Sequence, residues 1–219
     1  MKPTGTNQEN MTERDSFEKA FYAQNPPGVL ARLQTATVGI AGAGGLGSNV
    51  AVALARAGVH HLIIADFDRI ELSNLNRQQF FPEQAGMFKT EALKQNLNRI
   101  NPYINVEIFT GRITPENIDS VFGRAEILVE AFDLAEMKAM LVRNWLTLHP
   151  DRYIVSASGI AGLGRSGLLK TEVRGKMIIC GDGKSSLESE GGYTAPRVAI
   201  AANLQASAVI EILCNGKIN

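Results

Sequence analysis

The sequence predicts an α/β protein with a doubly wound, mostly parallel sheet, added antiparallel strands and a C-terminal helix. Three observations support this fold class. Short apolar runs alternate with longer amphipathic or alanine-rich runs over the first 158 residues, which is the order of repeated βαβ units. A glycine-rich turn joins the first apolar run to the first alanine-rich run. After residue 158, glycine-rich turns and shorter apolar runs replace the earlier alternation.

Five apolar segments are typical of buried parallel strands, because they are short and contain valine and isoleucine. These predicted strands span residues 35–42, 61–66, 105–110, 126–132 and 152–158. The predicted helices between them span residues 45–57, 89–100, 114–122 and 134–149. Within the third of these, Thr114 is the expected cap and Pro115 lies in the first turn. Right-handed crossovers of this kind place helices on both faces of a parallel sheet.

The two ends of the chain have different patterns. Residues 1–15 are polar and are expected to be flexible, whereas residues 16–219 are expected to form a single nucleotide-binding domain. Helical residues 16–33 are interrupted by Asn-Pro-Pro-Gly at 25–28, a turn signal. Further on, residues 168–180 resemble two antiparallel strands, and residues 180–196 are polar and aperiodic, like a mobile loop. An alanine-rich helix over 196–216 then ends at Gly216.

Composition excludes several classes of protein. The 219 residues contain 22 Lys plus Arg and 22 Asp plus Glu, and this balance argues against bulk nucleic-acid binding. The two cysteines, Cys180 and Cys214, are too few for a disulfide scaffold or a four-cysteine zinc site. No apolar run reaches about 18 residues, so no membrane span is expected. The polar N-terminus lacks an apolar signal core, and the expected location is cytoplasmic.

The glycine turn has the spacing of a nucleotide-binding loop. Gly42, Gly44 and Gly47 form a G-x-G-x-x-G pattern, with Gly45 inside it, and Asp66 ends the next predicted strand. Glycines allow a tight turn and close approach of backbone to phosphate, and an acid at this distance can bind ribose hydroxyls in a Rossmann-like fold. The alternative is a glycine turn that serves only strand–helix packing.

The next loop is rich in side chains that can bind phosphate. Asp68 is followed by Asn74, Asn76 and Arg77, and Lys89 stands at the head of a predicted helix. Arginine binds phosphate oxygens bidentately, and a cation at a helix N-terminus is unfavourable unless an anion lies nearby. The asparagines either bind the ligand or fold the loop back on itself. Alone, Lys89 would be interpreted as a solvated surface lysine.

Asp133 follows the fourth predicted strand, on the edge where open α/β sheets bind ligands. Nucleotide-bound Mg²⁺ uses one or two carboxylates besides phosphates, although Asp133 could instead cap the following helix. An acid for ribose, cations for phosphates and an acid for a metal together indicate ATP and nucleotidyl transfer. The rival functions are an NAD(P)-dependent oxidoreductase and a non-catalytic module that binds a small carrier protein or a partner enzyme without turnover.

Several motifs occur in an order that resembles one superfamily. They are GAGGLGS, ADFDRIELSNLNRQQFF, a lysine-headed helix ending RINP, EAFD, and GGYTAPRVAIAANLQA. The chain resembles the ubiquitin-activating-enzyme-like adenylyltransferases over about residues 33–214, and most of all a short ThiF-type protein of thiamine biosynthesis. Of these motifs the DFDRIELSNLNRQ segment is highly specific, whereas the glycine motif alone is not.

The resemblance implies that ATP with Mg²⁺ adenylates the C-terminal glycine of a ubiquitin-like sulfur carrier that ends in Gly-Gly, releasing pyrophosphate. It implies a homodimer, with the carrier tail under the loop near residues 181–193 and a cysteine desulfurase as a possible further partner. A membrane partner is not expected, nor is a nucleic acid. Other acceptors remain open: a carrier for molybdopterin or cysteine synthesis, or a carboxylate on tRNA.

The resemblance also implies roles for individual residues. Gly45 would lie under the phosphates and Asp66 would hold the ribose. Arg77, with Asn74, would surround the phosphates and neutralise their charge, and Lys89 would stabilise charge that develops during transfer. Asp133 would hold Mg²⁺.

Three departures from the family pattern concern cysteine and arginine. The two Cys-x-x-Cys pairs that bind structural zinc in many members are missing, so no structural zinc is expected. The loop before the Ala-Pro helix has no cysteine; Cys180, upstream of it, is a possible sulfur-transfer thiol or, more simply, a packed strand-end residue. The N-terminal arginine motif that reaches a partner's site is also missing, which leaves Arg14 and Arg32 as candidates.

Overall fold

A computed structural model describes residues 12–218 and contains a seven-stranded sheet. The strand order is β3-β2-β1-β4-β5-β7-β6, in which β6 alone runs antiparallel to its neighbour. The strands are β1 Thr37–Ala41, β2 His61–Asp66, β3 Asn105–Thr110, β4 Ile127–Glu130, β5 Tyr153–Ala157, β6 Lys170–Arg174 and β7 Met177–Gly181. The predicted α/β class, the doubly wound parallel sheet and the added antiparallel pair are confirmed.

Eight α-helices lie within the described residues. They are α1 Glu13–Phe21, α2 Val29–Thr35, α3 Gly45–Ala57, α4 Lys89–Ile100, α5 Ile118–Phe122, α6 Ala135–Leu148, α7 Leu187–Glu190 and α8 Ala195–Asn215. Helices α3 and α4 have the predicted bounds. Helix α8 is capped by Gly216, as expected, whose φ of 73° is the left-handed conformation that glycine favours at a helix end.

Most element ends lie within two residues of prediction, and three local features differ more. Helix α1 begins at Glu13 rather than at residue 16, because the Thr12 hydroxyl accepts a hydrogen bond from the backbone N–H of Asp15. Residues 1–11 of the predicted flexible segment lie outside the described residues. The predicted cap at Thr114 is wrong: the Asn117 side chain accepts the Thr114 N–H in a turn, and α5 starts only at Ile118. The predicted mobile loop contains α7.

Two hydrophobic layers enclose the sheet. Helices α3, α4 and α8 cover one face together with α2, and α5 and α6 cover the other. Trp145 of α6 is completely buried in the second layer and donates its indole N–H to the Tyr153 carbonyl. The layers leave the C-terminal ends of the parallel strands open, which is where an open α/β sheet binds ligands.

By length and composition alone, helix α8 could cross a membrane, with a mean hydropathy of 1.5 over its most apolar window. Half of that window is buried inside the protein, and the helix packs against α3, β5 and β7. The apolar face of α8 is therefore used in the core.

Candidate nucleotide-binding site

A cavity of about 1500 Å³ opens at the C-terminal ends of the parallel strands. It exceeds the usual range of about 300–1000 Å³ for a small-molecule site. Nine predicted site residues line it: Gly42, Gly44, Gly45, Asp66, Asp68, Asn74, Arg77, Lys89 and Asp133. Gly47 and Asn76 were also predicted, but they do not line the cavity.

The glycine turn between β1 and α3 depends on close backbone packing. A Cβ atom on Gly47 would lie 1.8 Å from the Gly42 carbonyl oxygen, so Gly47 serves the turn. Gly42 has φ of 102°, and a Cβ there would lie 2.6 Å from the Ala131 carbonyl oxygen. Gly44 is the N-cap of α3 and provides no side-chain cap. The N-terminus of α3 therefore lies at the cavity wall with the positive end of its dipole available to an anion.

Asp66 is held in place by backbone donors. Its Oδ2 accepts the N–H of Ala43 at 2.6 Å and its Oδ1 accepts the N–H of Asp68 at 2.8 Å. Burial raises the pKa of the Asp66 carboxyl, and the two backbone hydrogen bonds oppose that rise without cancelling it. No cation forms a direct ion pair with Asp66 within residues 12–218.

Lys89 is not a solvated surface lysine. Its side chain is 8% exposed, and its Nζ lies 2.7 Å from Asp68 Oδ2. The Lys89 backbone N–H donates to the Asp68 carbonyl, which ties the start of α4 to the end of β2. Asp68 therefore provides the anion that the predicted helix-head lysine requires.

The loop asparagines mainly organise the loop itself. Asn74 Oδ1 accepts the Glu71 N–H at 3.2 Å, and Asn76 Oδ1 accepts a hydrogen bond from Arg77 Nη1 at 2.9 Å. Arg77 Nη1 also donates to the Ser73 carbonyl, and the guanidinium lies 5.5 Å from the ring centre of Tyr193. Arg77 is thus positioned at the cavity by its own loop.

Asp133 does not cap α6, whose N-cap is Leu134. It is exposed, lines the cavity and has no hydrogen-bond or ion-pair partner within residues 12–218. Glu130, at the end of β4, is completely buried instead. Its carboxylate accepts hydrogen bonds from Lys138 Nζ, Ser156 Oγ and the Phe132 N–H. Glu130 is thus occupied by the protein, whereas Asp133 is available to a ligand.

Comparison with protein-family models identifies the chain. The model described as the ThiF family matches residues 19–219. The chain belongs to the ThiF family. The superfamily resemblance is thereby confirmed; the thiamine-specific subtype is not.

Individual relatives of this ThiF-family chain include the adenylyltransferase and sulfurtransferase UBA4 of Candida glabrata, 28% identical over 97% of this chain and 51% of the relative. The ubiquitin-like modifier-activating enzyme 5 of Caenorhabditis elegans is 39% identical over 42% of this chain and 22% of the relative. The chain thus spans about half or less of these curated relatives.

Among solved structures, the E. coli tRNA N6-threonylcarbamoyladenosine dehydratase TcdA in complex with AMP superimposes with a TM-score of 0.83. The two chains are 19% identical, and the match covers 94% of this chain and 98% of TcdA. TcdA has also been solved with ATP. At this identity the similarity establishes the fold, which TcdA shares nearly from end to end.

Four cavity cations were not predicted: Arg69, Arg112, Lys138 and Arg143. Lys138 follows Asp133 by five residues on α6, and Arg112 follows β3 and lies 4.0 Å from the ring centre of Phe67. Arg112 comes two residues after the end of β3, which is the positional signal that could have identified it; Lys138 lies inside α6 and had no such signal.

Cys180 packs inside this ThiF-family domain. It is completely buried, does not line the cavity, and burial raises its pKa to about 11. The thiolate that sulfur transfer requires is therefore strongly disfavoured. The structure favours the packing interpretation over the sulfur-transfer interpretation of this thiol.

The two candidate arginines for reaching a partner's site are engaged elsewhere. Arg14 Nε lies 2.7 Å from Glu18 Oε1, and Arg32 Nη2 lies 2.5 Å from Glu126 Oε2. Neither arginine lines the cavity of its own chain. In this conformation each is an intramolecular ion-pair partner.

Proposed function

We propose that this protein is a nucleotidyltransferase that uses ATP to adenylate a carboxylate. The observation that carries the proposal is the unpartnered carboxylate of Asp133, which shares one cavity with two cations, Arg77 and Lys89. An oxidoreductase that binds a dinucleotide has no shared use for these three groups. Adenylate transfer uses all of them, because charge on phosphate and on the metal must be neutralised.

ATP would occupy the nucleotide end of the cavity. Asp66 would accept hydrogen bonds from the ribose hydroxyls, and the N-terminus of α3 at Gly44 and Gly45 would lie against the phosphates. Arg77 would neutralise phosphate charge, and Lys89, held by Asp68, would stabilise charge that develops during transfer. TcdA, which shares this fold, has been solved with AMP and with ATP, and this supports an adenine nucleotide as the ligand.

The chemistry is a displacement at the α-phosphorus of ATP. An oxygen of the acceptor carboxylate bonds to that phosphorus, and the bond to the bridging oxygen breaks with its electron pair on pyrophosphate. No histidine lines the cavity within residues 12–218, and none is required, because a carboxylate is already an anion. The protein's contribution is positioning and charge neutralisation.

Asp133 fits a Mg²⁺ site that is completed by phosphates. Its carboxylate is exposed to the cavity and unpartnered within residues 12–218, and no cluster of three or more His, Cys, Asp or Glu side chains there forms an all-protein site. One carboxylate with phosphate oxygens and water is a common Mg²⁺ environment. When bound, Mg²⁺ would supply charge neutralisation on the phosphates.

The acceptor is the finer part of the proposal. The relatives include an enzyme named for activating a ubiquitin-like modifier and a tRNA dehydratase. They support a ubiquitin-like carrier outside thiamine synthesis, or a carboxylate on tRNA, better than a thiamine-specific carrier. The size of the cavity leaves room for an acceptor tail beside the nucleotide. A homodimer, a desulfurase partner and a cytoplasmic location remain predictions.

Exchange of labelled pyrophosphate into ATP tests the reaction type. With a carrier ending in Gly-Gly and Mg²⁺ we expect exchange, and Arg77→Ala should lower it by about 100-fold or more. Arg99→Ala is the matched control, since Arg99 lies on α4 outside the cavity, and should leave exchange unchanged. Nicotinamide-dependent turnover without exchange would contradict the proposal.

Mass spectrometry identifies the acceptor. Candidate ubiquitin-like carriers and tRNA that contains threonylcarbamoyladenosine would each be incubated with the protein, ATP and Mg²⁺. We expect an added AMP on one carrier, or conversion of the tRNA carboxylate. Exchange with the thiamine carrier alone would instead support the thiamine-specific subtype.

A further inference from the structure

Gln78 is a buried amide that the protein itself does not use. The residue is 8% exposed and lines the cavity. Its Oε1 is buried and has no hydrogen-bond partner, and its Nε2 forms none within residues 12–218. Only the backbone N–H of Gln78 is bonded, to the Asn74 carbonyl.

The other loop amides are engaged with protein groups. Asn74 Oδ1 accepts the Glu71 N–H, and Asn76 Oδ1 accepts a hydrogen bond from Arg77. Gln79 Nε2 donates to Asn49 Oδ1 at 2.7 Å. The Gln84 side chain exchanges hydrogen bonds with Asn96 and accepts the Phe81 N–H. A buried amide without partners costs free energy, whereas each neighbouring amide recovers that cost by bonding to protein.

The surroundings of Gln78 favour an anion. A Cβ atom on Gly44 would lie 3.8 Å from Gln78 Nε2, so the amide nitrogen faces the N-terminus of α3. A Cβ atom on Gly45 would lie 3.6 Å from Arg77 Cγ. Arg77 thus lies beside Gly45 and Gln78 beside Gly44. The guanidinium of Arg77 supplies a positive charge, and the amide of Gln78 supplies N–H donors.

We propose that Gln78 is a phosphate-binding residue whose Nε2 donates to a nucleotide phosphate oxygen beside Gly44. The inference rests on the proposed function, since it requires ATP in the cavity. A phosphate oxygen only accepts hydrogen bonds, so the amino end of the amide is the end that binds it. Arg77 neutralises the charge of the phosphate, and the hydrogen bond from Gln78 Nε2 orients it.

Titration calorimetry of ATP with Mg²⁺ tests the contact. Gln78→Glu replaces the donor with a carboxylate of the same size and should weaken ATP binding by about tenfold or more, and more than Gln78→Met does. Gln79→Glu and Gln79→Met are matched controls one residue along, outside the cavity, and should bind ATP like the wild type. Equal weakening by Gln78→Glu and Gln78→Met would contradict a phosphate contact.

Stability without nucleotide separates a binding role from a structural one. Because the Gln78 amide has no partner within residues 12–218, Gln78→Met should keep or raise the thermal midpoint while ATP affinity falls. A lower midpoint, or unchanged affinity, would contradict the inference. A wild-type protein that does not bind ATP would contradict the proposed function itself, and the inference with it.

Discussion

Two aspartates organise the two loops at the mouth of the cavity, and their environments are opposite. Asp66, the last residue of β2, and Asp182, which follows β7, each accept two backbone N–H groups. Asp182 also lies 2.5 Å from Arg197 Nη2, and both side chains of that pair are buried. Asp66 forms no direct ion pair within residues 12–218.

The pKa values of the two carboxyls shift in opposite directions as a result. Burial raises the pKa of Asp66. At Asp182 burial also acts upward, but the N–H groups of Ser185 and Lys184, the Ser185 hydroxyl and the Arg197 charge lower the pKa overall. A carboxylate with many donors and a cation, such as Asp182, is therefore expected to stabilise the fold when ionised, whereas Asp66, with fewer partners, is expected to accept hydrogen bonds from a ligand.

The largest expected effect follows from breaking the buried pair. Arg197 Nη1 also donates to the Gly164 carbonyl, so the side chain joins two glycine-rich loops. Arg197→Met should lower the free energy of unfolding by about 3–5 kcal/mol, because it leaves Asp182 buried without its cation. Urea denaturation measures the change.

A double-mutant cycle sharpens this prediction. Adding Asp182→Asn to Arg197→Met should cost less than the sum of the single changes, since the uncompensated charge is removed. Additive costs would show that the two side chains act independently, in contradiction to the ion pair.

A smaller loss is expected in the glycine turn that adjoins Asp66. Gly47→Ala would force a Cβ atom against the Gly42 carbonyl and should destabilise the protein by about 1–3 kcal/mol or more. Gly167→Ala is the control, since a Cβ there meets nothing within 4 Å and its φ is not positive. Equal unfolding midpoints for the two variants would contradict the close packing of this turn.

The sequence predicted the region around Asp66 better than the region around Asp182. The bounds of α3, the glycine turn before it and the position of Asp66 at the end of β2 depend on local spacing, and local spacing is visible in a single sequence. The Arg197–Asp182 pair joins residues 15 apart. Arg197 lies within the GGYTAPRVAIAANLQA motif, but Asp182 lies in no motif, and the burial of the pair arises only when two loops pack together. Cys180 shows the same limit, because its position at the end of a strand did not reveal that the thiol is sealed from the cavity.

Acid titration tests the contrast between the Asp66 and Asp182 carboxyls directly. In the proposed complex an ionised Asp66 accepts hydrogen bonds from the ribose hydroxyls more strongly than a protonated one, so ATP affinity should fall as the pH drops through its raised pKa. The stability contributed by Asp182 is present above the ordinary pKa of an aspartate, about 3.9, and should be lost only as the pH falls through its lowered pKa. Ionised Asp66 is instead a cost to folding that protonation relieves.

Calorimetry with ATP and urea denaturation, at the same series of pH values, should therefore show affinity lost at a higher pH than the stability that depends on Asp182. The difference in stability between the wild type and Asp182→Asn isolates that contribution from other carboxylates. Loss of this difference at a higher pH than the loss of ATP affinity would reverse the proposed order.

The smallest expected effect concerns Cys180, the penultimate residue of β7, which lies two residues before Asp182. Cys180→Ala removes a buried sulfur that lies 3.8 Å from Thr171 Oγ1 and should cost about 1 kcal/mol of stability. Pyrophosphate exchange should stay at the wild-type rate, because the thiol lies outside the cavity. Iodoacetamide should label partly exposed Cys214 before Cys180 in the folded protein. Rapid labelling of Cys180, or loss of exchange in Cys180→Ala at unchanged stability, would show that the loop opens to expose the thiol and would restore the sulfur-transfer interpretation.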